Sequence, residues 1–114
     1  MKIELTISKI NDIVVVELAG KLDSSNYLEV DEKFNAIIAS GERKLMINFF
    51  KLDYISSAGL RVFLAVAKKL KAVNGKFVFT KMQEHVREVF DLTGLLHVFT
   101  LCDKEEDAIK NLGE

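Results

Sequence analysis

The chain is short of most features that mark out a particular class of protein. It has no proline and only six glycines, so no linker rich in either divides it, and its 114 residues read as one domain over 1–114. Its single cysteine, Cys102, cannot close an internal disulfide and has no CxxC partner, which makes it a small packing residue and the cytoplasm the expected location. Sixteen basic side chains against seventeen acidic ones leave a net charge of -1. The basic excess of a non-specific nucleic-acid binder is therefore missing. No apolar run approaches a bilayer span. The opening MKIELTISKIND carries Glu4 and no apolar signal core, so neither membrane insertion nor secretion is expected.

Chemical motifs are equally scarce. There is no G-x-x-x-x-G-K-[ST] and no G-x-G-x-x-G to cradle phosphates. A G-x-S-x-G elbow fails at Ser57, because Ile55 stands where the first glycine belongs. His85 and His97 have no third group marked out beside them, and the carboxylates show no ligand spacing with the histidines or Cys102. No catalytic residue, metal or cofactor is expected, and the chain reads as a non-enzyme.

What the sequence does have is rhythm. KIELTIS places Ile3, Leu5 and Ile7 on one side and Glu4 and Thr6 on the other, the period of a half-buried strand. Asn11-Asp12 marks a turn, and the β-branched IVVVEL follows as a strand buried on both faces, closing an antiparallel hairpin. LDSSN then opens a helix with Tyr27, Val30, Phe34 and Ile37 at helical spacing up to Gly41. LMINFF, KFVFT and HVFTL read as further strands. Between them Leu60, Phe63, Leu64, Ala67 and Leu70 form one helical stripe, and Met82, Val86, Val89 and Phe90 another. Thr80 to Gln83 and Asp103 to Glu106 have capping-box spacing for the last two helices.

The order β-β-α-β-α-β-α-β-α predicts an α/β domain with a mixed, mostly parallel five-stranded sheet and about four helices, because strands joined through a helix pair in parallel by right-handed crossovers. Every helix in such a unit begins at the carboxyl rim of the sheet. Asp23, Ser57, Thr80 and Asp103 are thus expected along one edge, where α/β proteins place their sites.

The stretch YISSAGL, residues 54–60, falls on that edge. A helix start exposes unpaired N–H groups and about half a positive charge, which suits a serine cap or an anion. One serine suffices for a cap, and Gly59 in the first turn costs about 1 kcal/mol relative to alanine. Ala58 and Gly59 read as leaving the backbone bare for another molecule to approach the serine hydroxyl. A phosphate on such a serine adds about -1.5 to -2 charges and meets a favourable dipole, so the fold should survive while a docked partner is repelled. Composition and spacing accommodate both a plain cap and a phosphate acceptor.

LDYISSAGLRVFL after a buried strand resembles the signature of bacterial anti-sigma-factor antagonists, the free-standing STAS-domain family. GKLDSSN, the DLTGLLHVF segment and the order of elements resemble it too, so the likeness spans nearly the whole chain. The resemblance implies a partner switch: the unmodified protein binds an anti-sigma factor that is also a serine kinase and so frees the sigma factor. Phosphorylation at the start of the second helix ends the contact, and a PP2C-type phosphatase restores it. Matched residue by residue, the acceptor falls on Ser57, Gly59 and Leu60 match the motif's glycine and leucine, and Asp23 matches an acidic residue near the acceptor. Ser56 stands where the family often has aspartate, and Ala58 where it often has a second serine, which makes Ser56 the secondary candidate. The partner-binding surface implied comprises Asp23, Ser24, Ser56, Ser57, Ala58, Gly59, Arg61 and Val62. The alternative is a STAS scaffold or ligand-sensing module of a larger signalling or lipid-transport complex, in which Ser57 is only a cap.

Three other features have plainer readings. Asp23 alone is an N-cap for the first helix. Lys68, Lys69, Lys71 and Lys76 form a basic cluster that reads as a solvated face favoured by a helix C-terminus, ahead of a phosphate-binding groove. Asp103, Glu105, Glu106 and Asp107 make an acidic helix start that the dipole explains.

Overall fold

The computed structural model describes residues 3–113. Strand β1 (Glu4–Ile10) and strand β2 (Ile13–Leu22) form the expected hairpin, with Ile10 paired to Ile13 across the turn and Glu4 to Ala19 at its open end. Asn11 makes the reversal with φ of 55°, a left-handed conformation that asparagine tolerates. The chain continues through α1 (Tyr27–Ala39), β3 (Lys44–Ile55), α2 (Ser57–Ala72), β4 (Lys76–Thr80), α3 (Glu84–Leu92), a 3-10 turn (Leu95–His97), β5 (Leu101–Cys102) and α4 (Glu105–Gly113). The sheet order is β1-β2-β3-β4-β5, antiparallel at the first pair and parallel at the other three.

Because the parallel strands are added in one direction by right-handed crossovers, the three crossover helices fall on one face of the sheet. There α1 contributes Val30 and Phe34, α2 contributes Leu60, Phe63 and Val66, and α3 contributes Val86 and Phe90 to the larger core. Phe49 and Phe79 sit at its centre, with Phe63, Phe90 and Phe99 around them at centroid distances of 4.8–6.0 Å. Such pairs add about 0.5–1.5 kcal/mol each beyond the area they bury. The other face is covered by α4, whose Ala108 and Leu112 pack on Ile13, Val15, Met46 and Val78. IVVVEL is accordingly buried on both faces from Ile13 to Val16. Among the described residues no helix is long and apolar enough to cross a membrane.

Three local expectations are corrected. HVFTL is not a five-residue strand: Gly94, at φ 75°, starts the 3-10 turn, Phe99 turns into the core against Phe77, Phe79 and Phe90, and only Leu101 and Cys102 pair with β4. Core filling takes precedence over edge pairing there. Thr80 does not cap α3; it is the last residue of β4, paired with Asn48 and Cys102 and 1% exposed, and Gln83 holds the cap position. Asp103 does not open α4 either, since the first helical N–H bond, from Ala108, ends on the Lys104 carbonyl.

Candidate functional site

The carboxyl rim is assembled by one backbone bond. The Ser56 N–H donates to the Leu22 carbonyl at 2.9 Å, fastening the start of α2 to the end of β2. Asp23, the residue after Leu22, therefore shares the rim with the two serines. The parallel strands β2 and β3 run level here, with Lys21 beside Tyr54 and Leu22 beside Ile55.

The two serines divide the work. Ser56 has extended backbone angles and is the N-cap: its Oγ accepts from the Gly59 N–H at 3.3 Å, and its carbonyl accepts from the Leu60 N–H at 3.0 Å. Ser57 is the first helical residue and is exposed, and among the described residues its hydroxyl takes part in no hydrogen bond. The cap is thus satisfied without it. A charged group on Ser57 would lie at the positive end of a 16-residue helix.

Gly59 has a different reason to be glycine than exposure of the backbone. It is buried, and a Cβ built on it would lie 2.8 Å from both Ile55 Cγ1 and Leu22 Cγ. The missing side chain lets the first turn of α2 sit down on the ends of β2 and β3. Gly59 consequently shapes the rim from below. Val62 is also a core residue, 3% exposed. Its visible edge joins Ala58, Arg61 and Ala65 of α2 opposite Tyr27 and Asp31 of α1 in a shallow groove of about 190 Å³.

Asp23 is not the cap of α1. The helix starts at Tyr27, with Asn26 in the cap position, and Asp23 instead builds the turn before it. Its Oδ1 accepts from the Ser25 N–H at 2.9 Å and from Ser25 Oγ at 2.5 Å, which hold the carboxyl below its ordinary pKa, the hydroxyl contributing most. Asp23 is half-buried and Ser24 exposed. The turn is clamped by Asn26, a buried residue that sequence reasoning missed: its Oδ1 accepts from the Asp23 N–H at 2.9 Å and its Nδ2 donates to the Lys21 carbonyl at 2.7 Å. An asparagine following Asp-Ser-Ser was the available signal. Tyr27 and Asp31, one turn apart on α1, were likewise not singled out as rim residues.

Beside the serines, β3 overhangs β4, whose pairing with it ends at Asn48 and Thr80, and carries Phe50 and Tyr54 exposed at 62% and 48%. The start of α3 is tied to this overhang. Gln83 Nε2 donates to the Phe50 carbonyl at 2.6 Å, and the His85 ring is hydrogen-bonded to the Asp53 carbonyl. His85 thus has a structural bond, and His97 is exposed on the 3-10 turn. Cys102 is half-buried in the α4-side core, where burial first and then Asp107 and Asp103 raise its pKa and keep the thiol protonated. It is a packing residue.

Comparison with known proteins agrees with this geometry. The STAS domain model matches residues 4–108. BtrV of Bordetella bronchiseptica, provisionally named an anti-sigma factor antagonist, is 40% identical over 105 residues, covering 92% of this chain and 90% of that protein. The crystal structure of an anti-sigma factor antagonist from Mycobacterium paratuberculosis superposes with a TM-score of 0.90 at 23% identity, over 99% of this chain and 96% of that one. The Bacillus cell fate determinant SpoIIAA in its phosphorylated form superposes with a TM-score of 0.72 at 25% identity, over 95% of this chain and 98% of that one.

Proposed function

The chain belongs to the STAS-domain family, and from that premise we propose that it is a cytoplasmic, non-enzymatic anti-sigma-factor antagonist switched by phosphorylation of Ser57. The observation that carries the reading is the exposed, unengaged hydroxyl of Ser57 beside a cap already supplied by Ser56. The likeness to BtrV, and the existence of SpoIIAA in a phosphorylated form, support the same reading.

In this mechanism the unmodified rim docks an anti-sigma factor that is also a serine kinase. Asp23, held ionised by Ser25, offers a fixed negative charge to a basic group of the partner. Arg61 and the edges of Ala58 and Val62 flank the serine along α2. The kinase transfers the γ-phosphoryl group of ATP to Ser57 Oγ: a bond forms between that oxygen and phosphorus, the bond to ADP breaks, and the hydroxyl proton leaves to a base of the kinase. The product adds about -1.5 to -2 charges to the rim that carries Asp23 and is stabilised by the α2 dipole, so the fold stays while the docked face is repelled. A PP2C-type phosphatase reverses the modification by hydrolysis.

Incubation with the cognate kinase and ATP followed by mass mapping tests the acceptor. Phosphate is expected on Ser57 and absent from Ser57→Ala; modification only outside residues 56 and 57 defeats the reading. Calorimetry should show Ser57→Ala binding the unphosphorylated partner as wild type does. Ser57→Asp should bind about tenfold or more weakly with an unchanged circular dichroism spectrum. Equal affinity of the two variants would contradict the switch.

A further inference from the structure

Arg61 follows Ser57 by one helical turn on α2. It is exposed, and among the described residues its guanidinium makes no ion pair or hydrogen bond. Its neighbours three and four places away along the helix are Ser57, Ala58, Leu64 and Ala65, none of them charged. Across the α1–α2 groove lies Asp31, which is already engaged. Asn35 Nδ2 donates to Asp31 Oδ2 at 3.3 Å, and Asn35 Oδ1 accepts in turn from Lys69 Nζ. Lys69 thus serves the seam between the two helices. Lys68, Lys71 and Lys76 line a separate groove farther along α2, walled by Phe77 of β4 and Val98 after the 3-10 turn.

Residues four apart on a helix are surface neighbours, with Cβ atoms about 5–6 Å from each other, and an anion placed before a cation is the favoured order. A neutral Ser57 gives Arg61 nothing to hold. A phosphate on Ser57 brings strong acceptor oxygens and a charge of about -1.5 to -2, and the planar guanidinium fork meets two such oxygens at once. Both side chains are exposed on the same helix, so a change of rotamer brings them together without moving the backbone. Ser57 is not a lining residue of the α1–α2 groove, whereas Arg61 is, beside Tyr27, Asp31, Ala58, Val62 and Ala65. Pairing with the phosphate therefore takes the guanidinium away from that groove.

We propose that Arg61 is the internal receptor for a phosphate on Ser57, closing onto it as an intrahelical pair and so withdrawing its positive charge from the docking face. The inference rests on the reading of Ser57 as the acceptor and adds a second component to that switch. One modification then changes two features of the rim. A negative group appears at Ser57, and a cation that meets an acidic group of the partner in the unmodified state is taken up inside the protein. The device needs no movement of α2 and no covalent step beyond the phosphoryl transfer already described.

The test uses the full chain with phosphoserine placed at position 57 during translation, so it needs no kinase. In a phosphorus NMR titration the second phosphate pKa, ordinarily about 6, is expected about 0.5 lower in this protein than in Arg61→Gln, with Arg61→Lys recovering part of the difference. Asp23 and Asp31 act on the phosphate in the opposite sense, but they are common to all three proteins. The Arg61 Nε–H resonance should move on phosphorylation. Without the phosphate, Arg61→Gln should keep the wild-type thermal midpoint, because the side chain is exposed and unpaired among the described residues. The same phosphate pKa with and without Arg61, or an unmoved Arg61 resonance, would overturn the proposal. So would pairing that appears only after Asp31→Asn, which would assign the guanidinium to Asp31. Absence of the pair leaves the acceptor reading standing, and failure of the kinase to modify Ser57 is read separately by mass mapping.

Discussion

Gly59→Ala puts the geometry of the rim to a quantitative test. Glycine in a helix costs about 1 kcal/mol relative to alanine, so on propensity alone the substitution stabilises. The structure reverses that expectation. The new methyl would lie 2.8 Å from Ile55 Cγ1 and Leu22 Cγ and 3.1 Å from Leu22 Cδ2. The two nearest, both γ carbons, lie near the base of their side chains, on residues 2% and 0% exposed. Overpacking costs about 1–3 kcal/mol, and two carbons met at 2.8 Å put this site at about 2–3 kcal/mol, so the propensity gain of about 1 kcal/mol leaves a net loss of about 1–2 kcal/mol. At this chain length that corresponds to a fall of about 4–8 °C in the unfolding midpoint. Thermal and urea unfolding followed by circular dichroism read the number directly. Leu22→Ala removes two of the three atoms the methyl meets, so the double variant should be less destabilised than the sum of the two single changes. A Gly59→Ala protein as stable as wild type, or additive losses in the double variant, would refute the idea that α2 is seated through the missing side chain.

The other predictions follow from the same contacts. Ser56→Ala should cost about 1 kcal/mol through the lost cap, whereas Ser57→Ala should stay within about 0.5 kcal/mol of wild type in thermal unfolding; equal losses would mean that the two serines share the cap. Asp23 has a folded pKa below its unfolded value, so the stability it contributes is present above the ordinary carboxylate range and is lost as pH falls through the lowered pKa. Ser25→Ala should raise the Asp23 pKa and flatten that acid limb, read by NMR titration of the carboxyl and by unfolding across the acid range; an unchanged Asp23 titration would refute the assignment. Thr80 carries a buried hydroxyl with no hydrogen-bond partner among the described residues, so Thr80→Val should be neutral or stabilising by up to about 1 kcal/mol in urea unfolding. A clear loss would show that the hydroxyl is satisfied.

The broad architecture was legible because it rests on local periodicity. Ile13 to Val16 form a continuous β-branched run, and a strand buried on both faces is what they become. Alternation of strands and helices was enough for the parallel order and for the shared rim, since handed crossovers leave little freedom. The failures are tertiary. HVFTL has the composition of a strand, but its Phe99 is worth more in the aromatic core than in an edge ladder. Thr80 and Gln83 have the spacing of a capping box, yet the sheet pairing of Thr80 takes its side chain away from the helix. Gly59 was recognised as costly, but its reason lies in Leu22 and Ile55, which only the folded chain brings to it. Which serine caps depends on where the first turn begins, and the letters Ser-Ser leave that open. The lysines show the same limit, because a partner on α1 and an edge formed by β4 and the segment after the 3-10 turn sort them into two groups.

The division between Ser56 and Ser57 has an evolutionary consequence. Were one oxygen both anchor and message, every change that tuned recognition would also loosen the helix it holds. If Ser57 carries the message as proposed, the duties fall on adjacent letters: selection could rewrite the second while the first keeps the scaffold in place, and drift at the second would leave a protein that still folds but no longer listens.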